Sequence, residues 1–136
     1  MSSNEALLER LSEAFSGNQW PRFLHASNTA SECRIQSQVD RKIQWFDGHF
    51  ESEPVLPGIA QIHWAGEIGK FVYSLRGEAS SGMSNVKFHN PVLPGSSVLL
   101  VLSYSKEKGV LTFKYVSNEQ PCSEGKILFS NVETLT

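Results

Sequence analysis

Cysteine is almost absent from this chain. Cys33 and Cys122 are the only two in 136 residues. They lie too far apart in sequence to match a metal-ligand spacing, so two unpaired thiols in or near strands are expected in a reducing compartment. A glycine-rich phosphate loop, HExxH and GxSxG are missing as well, which removes nucleotide cradling, zinc hydrolysis and the serine-hydrolase elbow. Charge of one sign is lacking too: the net charge is −2, with both signs spread along the chain, and no basic footprint for DNA or RNA results. No apolar run approaches the roughly 18 residues of a membrane span, and the polar start MSSNEALLER does not read as a signal peptide. A soluble, cytoplasmic protein is the expectation.

What is present suits one compact domain, with 40% apolar and 19% charged residues. SSNEALLERLSEAFSG reads as a helix, because Ser2 with Glu5 fits a capping box, Leu7, Leu8, Leu11, Ala14 and Phe15 recur at helical spacing, and Gly17 supplies a stop. NQWPRFLHASNTA follows as a loop with aromatic anchors. From Glu32 to Trp45 apolar residues partly alternate, at Cys33, Ile35, Val39, Ile43 and Trp45, as in a half-buried strand, and the alternation breaks at Ser37. Pro57 and Gly58 then open a second helix whose apolar positions are Ile59, Ile62, Ala65, Ile68, Val72 and Leu75, widened by Trp64 and Phe71. Gly66 and Gly69 weaken a helix, so close packing is their expected reason. After a Gly/Ser-rich turn, RGEASSG, four segments read as strands, with hairpin turns at Lys106 to Gly109 and near Asn118 to Pro121. The class is α+β, divided as a helix and loop over 1–29 and one domain over 30–136. PVLPG occurs at 54–58 and again at 91–95, an echo of turn chemistry.

The chemistry concentrates at one place. His49 stands between Gly48 and Phe50 on a loop stiffened by Pro54 and Pro57, where a general base near neutral pH is well placed. The free N–H groups of Gly58 and Ile59 at the next helix start can polarise a carbonyl oxygen. Further along, His63, Glu67, Lys70 and Ser74 fall at i, i+4, i+7 and i+11 and form one polar stripe on an otherwise apolar helix. Trp45, Phe46, Phe50, Trp64 and Phe88 are aromatic candidates for the wall of a binding site or, by default, for the core. His25 and His89 read as surface or strand-end residues.

WFDGHFESEPVLPGIAQIHWA resembles the signature of hot-dog-fold 3-hydroxyacyl-[acyl carrier protein] dehydratases, in which GHF, a spacer and PVxPG lead into a central helix. VKFHNPVLPGSSVLLVL and LTFKYVSNEQPCSEGKILF are similar to that family's second recurring segment and closing hairpin. The wording PVLPGIAQIHWA most resembles the ApeI-like dehydratases of aryl polyene clusters rather than FabA or FabZ. The likeness spans about residues 30 to 132 and leaves the N-terminal helix outside.

The resemblance implies a six- or seven-stranded antiparallel sheet around the helix at Pro57, and a homodimer with tunnels at the interface. By position, His49 takes the proton alpha to the thioester and the N–H of Gly58 holds its carbonyl, while Val55 and Pro57 shape the loop and Ile59, Phe50 and Trp64 adjoin the substrate. Where the family has an Asp or Glu for the departing hydroxyl, this chain has His63. Three readings follow: His63 is itself the proton donor; Glu67 supplies the carboxylate, directly or paired with His63; or dehydration is lost and the tunnel binds acyl chains or serves another thioester reaction. The implied substrate is a thioester of acyl carrier protein or coenzyme A, with Arg41, Lys42, Lys70, Arg76 and Lys87 as candidates for a carrier-binding patch. No metal or redox cofactor is implied, since side chains suffice for both proton transfers. A hot-dog thioesterase with Glu67 as base or nucleophile, and a non-catalytic partner subunit of a heterodimer, are the alternatives.

Overall fold

The structure, a computed structural model, describes residues 2–46, 54–75 and 77–130. Helix α1 spans Ser3–Ala14, and the Ser2 hydroxyl accepts the Glu5 N–H at 3.1 Å, satisfying one orphan donor of the first turn. Its buried side chains, Leu7 and Leu11, face strand β1 (Arg22–Asn28). The chain then leaves the helix, and Gly17 adopts a φ of +104°.

Strand β1 was expected to be loop. A bulge between Phe23 and His25 shifts its register, so the buried residues Phe23 and Ala26 stand three positions apart. That spacing hides the period of two from which a strand is read. Strand β2 (Cys33–Gln38) is shorter than expected, and Ser37 continues its inward face at 3% exposure, so only the residue type, not the geometry, broke the pattern. Val39 and Ile43 remain buried in the following turns, and a single 3₁₀ turn covers Gln44–Phe46.

Helix α2 spans Gly58–Val72, followed by β3 (Ala79–Phe88), β4 (Ser97–Ser105), β5 (Val110–Ser117) and β6 (Gln120–Ser130). Ala79 to Gly82, expected as turn, already belongs to β3. All pairings are antiparallel, and the sheet order is β1-β2-β4-β5-β6-β3, which leaves β1 and β3 at the edges. Across the sheet, Ile35, Leu100, Tyr115 and Ser123 form one inward row through successive pairs, and Leu102, Phe113 and Gly125 another. Helix α2 lies on this face, against β4, β5 and β6. Each large side chain sealed there, such as Trp64, Phe113 or Leu111, contributes about 1.5–3 kcal/mol of apolar burial.

The buried face of α2 is formed by Ala60, Gln61, Trp64, Ala65, Ile68 and Gly69. Ile59, expected on that face, is 69% exposed instead, because the core-facing stripe runs one position later. Gly69 has the packing reason expected of it: the Leu111 side chain occupies the place of a Cβ. Gly66 does not, since a Cβ there would stand 3.5 Å from Ile127 Cδ1, an ordinary contact. Both cysteines are free and buried, Cys33 in β2 and Cys122 in β6.

Candidate active site

Chain geometry first builds the approach to α2. The two PVLPG copies meet in space: the Leu56 N–H donates to the Val92 carbonyl at 2.8 Å. Gln61, buried at 3% exposure, returns its Nε2 to the Leu56 carbonyl at 3.2 Å and accepts the Ser123 hydroxyl on Oε1 at 2.6 Å. The buried Tyr115 hydroxyl donates to the Gln61 carbonyl at 2.8 Å. These bonds fix the start of α2 to the sheet. Sequence reasoning passed over Gln61, because a polar residue inside an apolar helix reads as surface until its partners are seen.

At that start Pro57 is the cap and provides no side-chain hydrogen bond, so among the described residues the N–H groups of Gly58 and Ile59 have no side-chain cap at the positive end of the helix. Gly58 also lets the Phe88 ring approach closely. A Cβ on it would stand 2.5 Å from the Phe88 ring, which comes from the end of β3 and is 54% exposed. Val55 and Pro57 are half-buried beside it. His49 and Phe50 lie outside the described residues.

Three members of the expected polar stripe, His63, Glu67 and Lys70, face a groove of about 420 Å³, whereas Ser74 lies beyond the end of α2 with a φ of +56° and does not line it. Ile62, His63, Gly66, Glu67 and Lys70 form its helix wall, while Ser80 to Met83 of β3 with Ile127 and Phe129 of β6 form the other. His63 and Glu67 therefore share one wall, as the spacing predicts. Among the described residues no hydrogen bond or ion pair joins them. His63 is held by aromatic rings: Trp20 stacks on it at 5.4 Å between centroids and 25° between planes, and Trp45 leans on it at 6.2 Å and 51°. Trp64, in contrast, does not face the groove. It is fully buried, and its indole N–H donates to the Gln19 carbonyl at 2.8 Å. Neither does Ile59 reach it.

The cations expected to form one patch are dispersed. Arg41 packs against Gly95, Lys70 lines the groove and Arg76 lies outside the described residues. Lys87 stands across from Glu124 on β6, which is flanked on its other side by Lys114 of β5 and bonded to His89 at 3.2 Å. Lys114 and His89 thus join Lys87 on a face that no linear spacing revealed.

A six-stranded antiparallel sheet folded on one helix, with ionisable side chains of that helix turned towards a groove at the sheet edge, defines a hot-dog protein. The structure of thioesterase superfamily member 2 from Mus musculus has the same fold, with a TM-score of 0.69 at 12% identity over 93% of this chain and 96% of that one. The family model for ApeI-like proteins, described as ApeI dehydratase, matches residues 25–126, and the chain belongs to that family. In the dehydratase heterocomplex ApeI:P from Xenorhabdus doucetiae, a chain 35% identical superposes with a TM-score of 0.77, covering 82% of this chain and 99% of that one. The 3-hydroxyacyl-[acyl-carrier-protein] dehydratase FabZ of Syntrophobacter fumaroxidans is 34% identical in a 95-residue alignment that covers 62% of this chain and 64% of that protein. The aligned stretch thus spans less than two thirds of that relative.

Proposed function

We propose that this protein removes water from a 3-hydroxyacyl thioester carried on acyl carrier protein, giving a trans-2-enoyl thioester. The observation that carries the reading is the groove wall where His63 and Glu67 stand together, on a helix whose uncapped first turn presents Gly58. In this reading His49 removes the proton alpha to the thioester, and the Gly58 N–H accommodates the negative charge that develops on the carbonyl oxygen. The electron pair of the broken C–H bond forms the new double bond as the C–O bond at carbon 3 breaks. The departing hydroxyl leaves as water with a proton from the groove wall, and His63 is the donor we favour because its ring is the more firmly held. Oxidation states balance within the substrate, so no electron carrier is called for. Metal ions have no assigned part.

A second reading has its own support. The ApeI:P structure is a dehydratase heterocomplex, and here a histidine stands where the family motif has an acid. Strand β3 is an edge strand with no buried residue, and Met83 and Phe88 on it are each 54% exposed. A second hot-dog chain, identical or related, would cover that edge by strand pairing, and a related one would bring the missing carboxylate.

The test incubates the purified protein with a 3-hydroxyacyl carrier-protein thioester and follows the acyl group by mass spectrometry, beside His49→Ala, His63→Ala and Glu67→Gln. Loss of one water, reduced on the order of 10²-fold or more in His49→Ala, is expected. Release of free acid would make the protein a thioesterase. An unchanged acyl mass would overturn the stand-alone enzyme, and activity regained on adding a second hot-dog chain, with a doubled mass in solution, would establish the partner role.

A further inference from the structure

The segment before β1 lies outside the family match, which begins at residue 25, yet it is tied into the groove. The Gln19 carbonyl accepts two indole N–H groups, from Trp45 at 3.1 Å and from Trp64 at 2.8 Å. One residue earlier, the Asn18 carbonyl accepts the Gln44 N–H at 2.8 Å. This double pin fixes the backbone on both sides of the stripe: Trp45 belongs to the 3₁₀ turn and Trp64 to α2. It also delivers Trp20 onto the His63 ring, with Trp45 against the same imidazole. Trp20 is backed in turn by Phe15 of the α1 C-terminus at 4.7 Å, and Phe15 by Phe71 of α2 at 5.5 Å.

An exposed histidine on a helix ordinarily samples several rotamers, and no hydrogen bond or ion pair to a described residue restrains this one. Its orientation is set by the indoles. Stacked aromatic pairs are directional, so removing one frees the ring to turn away from the groove.

We propose that Trp20 is a positioning residue: the N-terminal segment, pinned through the Gln19 carbonyl, is a clamp that holds the His63 ring at the groove wall by stacking Trp20 on it beside Trp45. The role of the clamp in turnover rests on the dehydration reading with His63 as proton donor. The clamp itself does not, and the two are separable by experiment.

The full-length protein, Trp20→Ala and Trp20→Phe are compared by NMR of the His63 ring, assigned with His63→Ala, and by steady-state dehydration kinetics. Circular dichroism melting verifies that each variant is folded. In the unaltered protein the His63 ring protons should lie upfield of solvent-exposed imidazole, within the ring currents of Trp20 and Trp45. Trp20→Ala should abolish most of that displacement and lower kcat by roughly 3- to 10-fold, the population loss expected from one aromatic stack, while KM stays within about twofold. Trp20→Phe, which keeps a ring at the same place, should restore most of both. His63 signals that stay in place in folded Trp20→Ala would overturn the clamp. Signals that move while kcat stays constant would overturn its part in turnover. Where the unaltered protein turns over no 3-hydroxyacyl thioester, the dehydration reading fails, and the NMR comparison by itself decides the clamp.

Discussion

Glycine 66 and glycine 69 stand one turn apart on the same helix and look equivalent in the sequence, but their neighbours make opposite demands. At Gly69 a methyl group collides with Leu111, a β5 side chain that is itself fully buried. Gly69→Ala should therefore destabilise the fold by about 1–3 kcal/mol, the usual cost of overpacking, as read from denaturant unfolding. Gly66 adjoins the groove, and a methyl there meets only an ordinary contact with Ile127. Gly66→Ala should gain about 0.5–1 kcal/mol from helix propensity in the same measurement, while raising KM for long acyl chains by narrowing the groove. Equal effects of the two substitutions on stability would contradict this assignment. The same contrast separates the histidines. His49 and His63 both invite a catalytic reading, but only the second has described surroundings, and those surroundings are rings contributed from positions 20 and 45.

Elements were legible in proportion to their regularity. Strands β4 and β5 alternate cleanly, and they and β6 fall close to where the sequence puts them, as does α1 with its Ser2 cap. Strand β1 was missed because its bulge breaks the period, and the stretch after β2 was overextended because Val39 and Ile43 are buried without being strand. The β5–β6 hairpin shows how a turn can work against its residues. Asn118 and Glu119 both adopt positive φ, +52° and +61°, the pair of conformations that a two-residue turn needs to match the strand twist. Asparagine tolerates this and glutamate does so poorly. Replacing Glu119 by glycine should raise stability by about 0.5–1 kcal/mol, the relief of left-handed strain less the added chain entropy, and calorimetry should show a higher Tm. A lower Tm would mean that the Glu119 side chain contributes something beyond the turn.

At the scale of the whole molecule, the burial that holds the sheet together also sets its response to alkali. Burial pushes the Cys33 thiol up to about 11 from its ordinary 9.0, and it raises Tyr73 to about 12 and Tyr115 further still. A group whose folded pKa lies above its unfolded one binds more protons in the fold, so its stabilising effect is complete below the unfolded pKa and is lost as pH rises through the folded one. For Cys33 that window runs from 9.0 to about 11. Thermal melting followed by circular dichroism should show stability level near neutral pH and falling across that window. Cys33→Val, similar in size and without a proton to lose, should flatten the part of the fall due to the thiol. An unchanged slope would place the effect on the tyrosines and on the second buried thiol, Cys122, which burial also pushes up.

The sequence by itself determined the α+β class, the helix that opens at Pro57 and the shared face of His63 and Glu67, because each rests on local spacing along one element. Gln61 as the internal strut, Trp20 as the partner of His63, the meeting of the two PVLPG turns and the contrast between Gly66 and Gly69 were decided only in three dimensions. Periodicity reports which way a side chain faces, and it is blind to what another part of the chain sets against it. The clamp on His63 joins residues more than forty positions apart, so packing had to bring them together before either could be read.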